Sequence, residues 1–259
     1  MDLIKRAAKD LVESKYAIAF TGAGISTESG IPDFRGPSGI WTRDPEAEKR
    51  AYEIYGKFLR DPREYWREAL KSPLYSLLEK AEPNPAHKAL AELESMGILM
   101  CVITQNIDCL HQKAGSRNVI EFHGSVSKLR CVRCGSRFDK RSFIDVIESQ
   151  LVPECKNCGS ALKLDVVHFT EPIPADVYIK SFEEAMKCDL MLVCGTSAVV
   201  YPAAELPRVA KRNGAKVIEI NLEETPLTFE GVSDYIIKGR VGENLPKIVE
   251  EVKKLRREF

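Results

Sequence analysis

Largely apolar runs of strand length punctuate the chain at 16–20 (YAIAF), 99–103 (LMCVI), 190–194 (LMLVC) and 216–220 (KVIEI), with a briefer YII at 235–237, and several are apolar on both faces. Runs that are apolar on both faces predict buried parallel strands, because a strand covered by helices on both sides has no polar face. Between them, apolar residues recur at helical spacing in 85–97, 177–188, 202–214 and 242–259, the first opened by Pro85 and closed by Gly97. The opening segment, MDLIKRAAKDLVESK, sets Leu3, Ala7, Leu11 and Val12 on one helical face among charges, which predicts an amphipathic helix and not an export signal. Strands alternating with helices predict an α/β fold with a doubly wound parallel sheet. Two stretches break the alternation. Residues 37–80 read as helical and aromatic-rich without strands, and residues 124–166 hold paired cysteines and turn glycines; together they are expected to form a second, smaller domain.

Lysine plus arginine equal aspartate plus glutamate at 38 each, so bulk charge leaves no footprint for nucleic acid or an anionic membrane. No apolar run approaches the roughly 20 residues of a membrane-spanning helix, and no membrane partner is expected. Without an export signal the eight cysteines read as thiols of a reducing compartment or as metal ligands, and a cytoplasmic location is expected. Cys131-Val-Arg-Cys134 and Cys155-Lys-Asn-Cys158 lie 20 residues apart, each followed by a glycine, Gly135 and Gly159. A two-residue spacer lets both sulfurs of a pair reach one tetrahedral ion, so a structural Zn2+ with a closed thiolate shell is expected. Two redox-active dithiols are the alternative. Cys101, Cys109, Cys188 and Cys194 have no partner at ligand spacing and are expected as small core residues. Lys128, Arg130, Arg133, Arg137, Lys140 and Arg141 surround the pairs, as in a nucleic-acid-binding zinc ribbon. Only Phe138 is interleaved with them for base stacking, and no direct nucleic-acid contact is expected.

In an open parallel sheet, ligands bind beyond the carboxyl ends of the strands. After the first run come Thr21-Gly22-Ala23-Gly24-Ile25-Ser26, after the second Thr104-Gln105-Asn106-Ile107-Asp108, after the third Gly195-Thr196-Ser197, and after the fourth Asn221-Leu222-Glu223. Glycines, amides, hydroxyls and two carboxylates converging there suit a ligand that carries phosphates and riboses. Taken singly, the glycine pair serves an ordinary tight turn, Asp108 a helix cap and Asn221 a turn. The dinucleotide fingerprint of redox enzymes is incomplete. Thr27 stands where the third glycine belongs, and no second strand ending in an acid follows about 20 residues on; the chain runs instead into Pro32-Asp33-Phe34-Arg35. His123, after the apolar stretch 119–122, stands where a general base would face such a ligand, although a lone histidine serves equally as a structural hydrogen-bond partner. Spacing singles out none of His87, His111 and His168.

In this order, GAGIS (22–26), GIPDFRG (30–36), TQNID (104–108), HG (123–124), the two cysteine pairs, GTS (195–197) and Asn-x-Glu (221–223) resemble the sirtuins, NAD-dependent protein deacylases, over nearly the whole chain. The resemblance implies a Rossmann-like NAD-binding domain from 1–36, 81–123 and 167–259. It implies a smaller domain made of a helical module, 37–80, and a four-cysteine zinc module, 124–166. The implied partners are acetylated-lysine proteins or peptides, with NAD as a co-substrate that is cleaved. The acetyl-lysine carbonyl oxygen attacks the ribose carbon bearing nicotinamide, nicotinamide leaves, and the acyl group ends on ADP-ribose while free lysine is released. Carried onto this chain, Gly22, Ala23, Gly24, Ile25, Ser26 and Arg35 would hold the phosphates and nearby ribose, with Asp33 beside them and Phe34 over the reaction centre. Asn106 and Asp108 would act at the nicotinamide ribose and carboxamide, assisted by Gln105 and Ile107. Gly195, Thr196 and Ser197 would line the phosphate and ribose side, Asn221, Leu222 and Glu223 would hold the adenosine end, and Val241 would close over adenine. His123 would be the base that takes a proton from the ribose hydroxyls, so that the hydroxyl attacks the imidate intermediate. Val167, Phe169, Thr170, Glu171 and Val200 would meet the peptide, added as a strand.

Two positions depart from the family pattern. Thr170 replaces a usual glycine; if that glycine takes φ > 0, threonine is expected to change the local backbone, because β-branched residues fit poorly there. Ala198 replaces a larger apolar residue and either leaves room near the acyl-lysine channel or is filled by a neighbour. The branch of the family that removes succinyl or malonyl groups carries Tyr-x-x-Arg to pair an acyl carboxylate. Here Tyr52, Tyr55 and Tyr65 are followed at that spacing by Tyr55, Phe58 and Glu68, so acetyl is expected over succinyl. Mono-ADP-ribosyl transfer and a non-enzymatic zinc-ribbon binding module remain as alternatives.

Overall fold

A computed structural model describes residues 2–36 and 39–257; Pro37 and Ser38, which open the expected helical module, lie outside them. The described strands are β1 (Ala17–Thr21), β2 (Leu99–Thr104), β3 (Val119–Glu121), β4 (Gly124–Cys131), β5 (Arg137–Asp139), β6 (Leu162–Val166), β7 (Leu190–Cys194), β8 (Lys216–Asn221) and β9 (Tyr235–Lys238). Six of them form one sheet in the order β3-β2-β1-β7-β8-β9, every pair parallel. The chain walks outward from β1 to β3 on one side and from β7 to β9 on the other. The winding therefore reverses between β1 and β7, and the crevice beyond their carboxyl ends is the topological switch point.

The period-two alternation of each strand feeds two separate cores. Ala17 and Ala19 of β1, Val102 of β2, Leu190 and Leu192 of β7 and Ile218 and Ile220 of β8 face one side; Ile18 and Phe20, Cys101 and Ile103, Met191 and Val193, and Val217 face the other.

The helices in chain order are α1 (Leu3–Glu13), α2 (Ile40–Arg43), α3 (Pro45–Arg60), α4 (Pro62–Lys71), α5 (Pro73–Lys80), α6 (Pro85–Ser95), α7 (Leu110–Lys113), α8 (Ile144–Glu148), α9 (Ala175–Lys187), α10 (Glu205–Arg212), α11 (Pro226–Phe229) and α12 (Val241–Arg257). α1, α6 and α12 cover the first face through Leu11, Leu90, Leu93, Leu245 and Ile248, and α9 and α10 cover the second through Ala185, Leu206 and Val209. Many starts share one local device: Asp44, Asp61, Asn84 and Thr225 each accept a backbone N–H of the first turn, and each is followed by a proline whose missing N–H costs nothing at that position. None of the described helices is long and apolar enough to cross a membrane.

β4, β5 and β6 form a second, antiparallel sheet in the order β5-β4-β6. Its Leu129, Leu162 and Leu164 pack with Phe58, Tyr65, Trp66 and Leu78 from α3, α4 and α5, and Trp66 Nε1 donates to Leu162 O at 2.8 Å. The helical stretch and the cysteine-bearing stretch thus share a third core.

Candidate functional site

At the switch point the loop after β1 and the loop after β7 pack backbone to backbone. Gly24 N donates to Gly195 O at 2.8 Å, and Gly22 N to Cys194 O at 3.2 Å. A Cβ on Gly195, whose φ is +60°, would lie 2.3 Å from Ile25 N, and one on Gly22 would lie 2.6 Å from Thr196 Cβ. Only hydrogen fits at either position, which is the reason for glycine there. Ala23 opens a 3-10 turn, Ala23–Ser29, in which Ile25 is a core residue and Ser26 turns inward.

Ser26 is the hub of the floor. Its one hydroxyl proton goes to Asp108 Oδ2 at 2.7 Å, so the Asn106 amide, 3.0 Å away, must donate to Ser26 Oγ while also donating to Gly22 O at 3.0 Å. Asp108 also accepts from Leu110 N at 2.9 Å, capping α7. Burial pushes its carboxyl pKa up, against these two hydrogen bonds, which pull it down. Gln105 Nε2 reaches Thr196 Oγ1 at 2.9 Å, and Asn221 Nδ2 reaches Thr196 O at 3.0 Å, so the ends of β2, β7 and β8 are tied together. Ile107 O accepts from Val126 N at 3.0 Å, joining this loop to β4.

His123 lies in the turn between β3 and β4, with Nδ1 3.0 Å from Gln105 O. A carbonyl only accepts, so Nδ1 carries the proton and Nε2 keeps its lone pair. Burial lowers the imidazole pKa below its usual 6.5, while the Gln105 carbonyl partly opposes this by favouring the charged form.

Sequence reasoning missed what lies beneath. His87, which spacing left without a role, is fully buried, with Nε2 3.4 Å from Ser26 Oγ and its ring 4.9 Å from that of His111. His111 Nε2 is 3.0 Å from Thr21 Oγ1, which bonds Thr104 Oγ1 at 2.9 Å, which in turn accepts from Asn106 N at 3.1 Å. The available signal was that threonines end the adjacent strands β1 and β2, in register as Thr21 and Thr104.

The wall opposite is aromatic. Phe34, 43% exposed, stands 4.9 Å from Trp41, and Phe169 stands 5.6 Å from Trp41 and 4.6 Å from Tyr52. Arg35 lies over the Trp41 ring and pairs with Glu48 at 3.3 Å, an exposed contact. Asp33 folds onto its own loop, accepting from Gly36 N at 3.2 Å. Ser197, Leu222 and Glu223 are exposed at the rim and Val200 is half-buried.

Two expectations, for Thr170 and Cys109, are corrected. Thr170 does not move its backbone to negative φ; it stands at φ +68°. Glu171 has its side chain buried between Arg130 and Lys163, which leaves its backbone to meet a peptide. Val241 starts α12 with its side chain packed in the core. Cys109 is not core; it is half-buried at φ +62° with Sγ 3.0 Å from Ser125 Oγ. Ala198, at φ +48°, is filled in by its neighbours and only 1% exposed, so it opens no space. Val167 N bonds His123 O at 2.8 Å, which places the candidate peptide edge directly beside the candidate base.

The sulfurs of Cys131, Cys134, Cys155 and Cys158 lie within 4.8 Å of one another. Cys131–Cys158 and Cys134–Cys155 are 3.5 and 3.6 Å apart, close to the ~3.8 Å that tetrahedral Zn–S bonds of about 2.3 Å require. Both pairs are built alike: Gly135 and Gly159 sit at φ +74° and +70°, with their N–H groups bonded to Cys131 O and Cys155 O.

A model of the Sir2 family matches residues 22–202, and the chain belongs to that family. It is 51% identical, over 99% of each chain, to an NAD-dependent protein deacylase 2 of Archaeoglobus fulgidus. A solved Sir2 enzyme structure matches with a TM-score of 0.81 at 50% identity, covering 98% of this chain and 99% of that one. Another Sir2 structure, TM-score 0.80 at 40% identity over 96% of this chain and 98% of that one, holds a deacetylated p53 peptide and 3′-O-acetyl ADP-ribose.

Proposed function

We propose that this chain is an NAD-dependent protein-lysine deacetylase that consumes NAD, releasing nicotinamide, free lysine and O-acetyl-ADP-ribose. The observation that carries the reading is the Gln105 carbonyl held 3.0 Å from His123 Nδ1, beside the Ser26–Asn106–Asp108 cluster. A fixed tautomer leaves Nε2 as acceptor toward the cleft, which suits a base that takes a proton from a ribose hydroxyl. The glycine cradle at 22–24 and 195 is the place for the pyrophosphate, and Thr196, Ser197 and Asn221 to Glu223 line the side where the adenosine would extend. Asn106 and Asp108 have the polarity to orient the nicotinamide ribose, and the Phe34–Trp41–Phe169–Tyr52 wall would exclude water from the bond being broken. Arg35, beside Phe34, is engaged on Trp41 and Glu48, and none of Tyr52, Tyr55 and Tyr65 has an arginine three residues on, so acetyl is preferred over succinyl.

The four-cysteine cluster would hold one Zn2+, which closes its own shell and serves the fold of the 124–166 module. We assign 1–36, 81–123 and 167–259 to the NAD-binding domain and 37–80 and 124–166 to the smaller one. The described cysteines are all unpaired thiols, in keeping with a cytoplasmic setting. The test is a His123→Ala variant: NAD affinity should stay within a few-fold, and deacetylation of an acetylated peptide should fall by ~10²-fold or more. Full activity in that variant would remove His123 from the chemistry.

A further inference from the structure

Thr170 holds a left-handed backbone, φ +68°, which a β-branched residue adopts only when its surroundings over-determine it. Its neighbour Glu171 supplies that constraint. The Glu171 side chain is 1% exposed; one carboxylate oxygen meets Arg130 Nη2, and the other lies 3.1 Å from Lys163 Nζ and accepts from His168 N at 3.1 Å. Arg130 and Lys163 stand on β4 and β6, and Arg130 in turn lies 2.9 Å from Asp165. Lys163, 0% exposed on its side chain, is also gripped by Leu164 O at 2.9 Å and Val166 O at 2.6 Å. The 167–171 loop is therefore bolted from below to the antiparallel sheet, while Val167 and Phe169 remain on the cleft side, with Phe169 against Tyr52 and Trp41.

We propose that Glu171, clamped by Arg130 and Lys163, is a positioning residue that keeps the loop in the left-handed form at Thr170 and so presents the edge that pairs with the substrate peptide. This rests on the reading that 167–170 receives the peptide. Glu171 touches neither substrate; it acts through the loop backbone. A clamp of this kind sets peptide affinity and leaves NAD binding, on the far side of the cleft, unaffected.

The experiment measures peptide KM, NAD KM and kcat for Glu171→Gln, Thr170→Gly, their combination, and Phe169→Ala as reference. Glycine accepts φ > 0 without strain, so it should hold the loop when the clamp is lost. The expected result is a peptide KM raised about ten-fold in Glu171→Gln with NAD KM and kcat within two-fold, and return to near the parental peptide KM when Thr170→Gly is added. If Glu171→Gln does not fold, Lys163→Met with Glu171→Gln removes one charge of each sign and gives the same comparison. An unchanged peptide KM in Glu171→Gln beside a raised one in Phe169→Ala overturns the clamp and leaves the peptide reading standing. A raised KM that Thr170→Gly fails to lower also overturns it. An unchanged peptide KM in Phe169→Ala removes the peptide reading, and the clamp with it.

Discussion

His123 owes its proposed role to two neighbours that act in opposite directions. Burial lowers its pKa, and the Gln105 carbonyl fixes the proton on Nδ1. A base must be unprotonated, so kcat/KM should be level above pH 6.5 and fall only as pH drops through the lowered pKa. A pH–rate profile with its acid limb centred above 6.5 would contradict this. The other three histidines tie stability to pH, and burial, with His87 nearby, holds His111 well below its usual 6.5. Burial lowers His87 from 6.5 to about 4; burial, with Lys163 and Arg130 nearby, lowers His168 to about 3. The unfolded chain binds these protons below about pH 6.5 while the folded chain does not. Stability is therefore complete above pH 6.5 and falls toward pH 4 by up to ~1.4 kcal/mol per pH unit for each histidine. Denaturant unfolding at pH 7.5 and 5 measures the difference; equal stability at both would refute the neutral-histidine assignment. Sequence spacing located His123 because it follows an apolar run, but it gave no direction to side chains. The inward turn of the Glu171 side chain was not legible, because it depends on Arg130 and Lys163, which are remote in sequence.

At the scale of elements, the crevice depends on two loops approaching as bare backbone. Gly195→Ala puts a methyl group 2.3 Å from Ile25 N on a residue at φ +60°, so the β7 loop must shift. The conformational cost alone is about 1–2 kcal/mol. NAD affinity should fall by at least ten-fold, read by calorimetry, while Zn content is unchanged; parental affinity would show that the cradle does not bind NAD. The runs at 16–20, 99–103 and 190–194 were legible as strands because they are apolar on both faces, and the proline-opened helices because a cap and a proline are local signals. Strand order was not legible: the β1–β7 switch point is set by crossover packing, which no single run encodes. The left-handed backbone at Thr170 and Ala198 was equally hidden, since both residue types argue against it.

For the molecule as a whole, one core joins the helices of 45–80 to the cysteine-bearing sheet, so the proposed Zn2+ site is expected to depend on those helices for its fold. Cys131 ends β4 directly after Arg130, and Leu129 and Cys131 both belong to that core. Removing Zn2+ with a chelator should therefore loosen α3 to α5 as well as 124–166, seen as faster amide exchange in both, while β1, β2 and β7 stay protected. Exchange confined to 131–159 would contradict a shared core. In the proposed reaction NAD is broken and its ADP-ribose leaves carrying the acetyl group. The direct measurement is the fate of ADP-ribose-labelled NAD incubated with an acetylated peptide. That reaction predicts nicotinamide and unmasked lysine appearing one for one, with all the label in O-acetyl-ADP-ribose; label retained on protein, or nicotinamide formed without deacetylation, would contradict it.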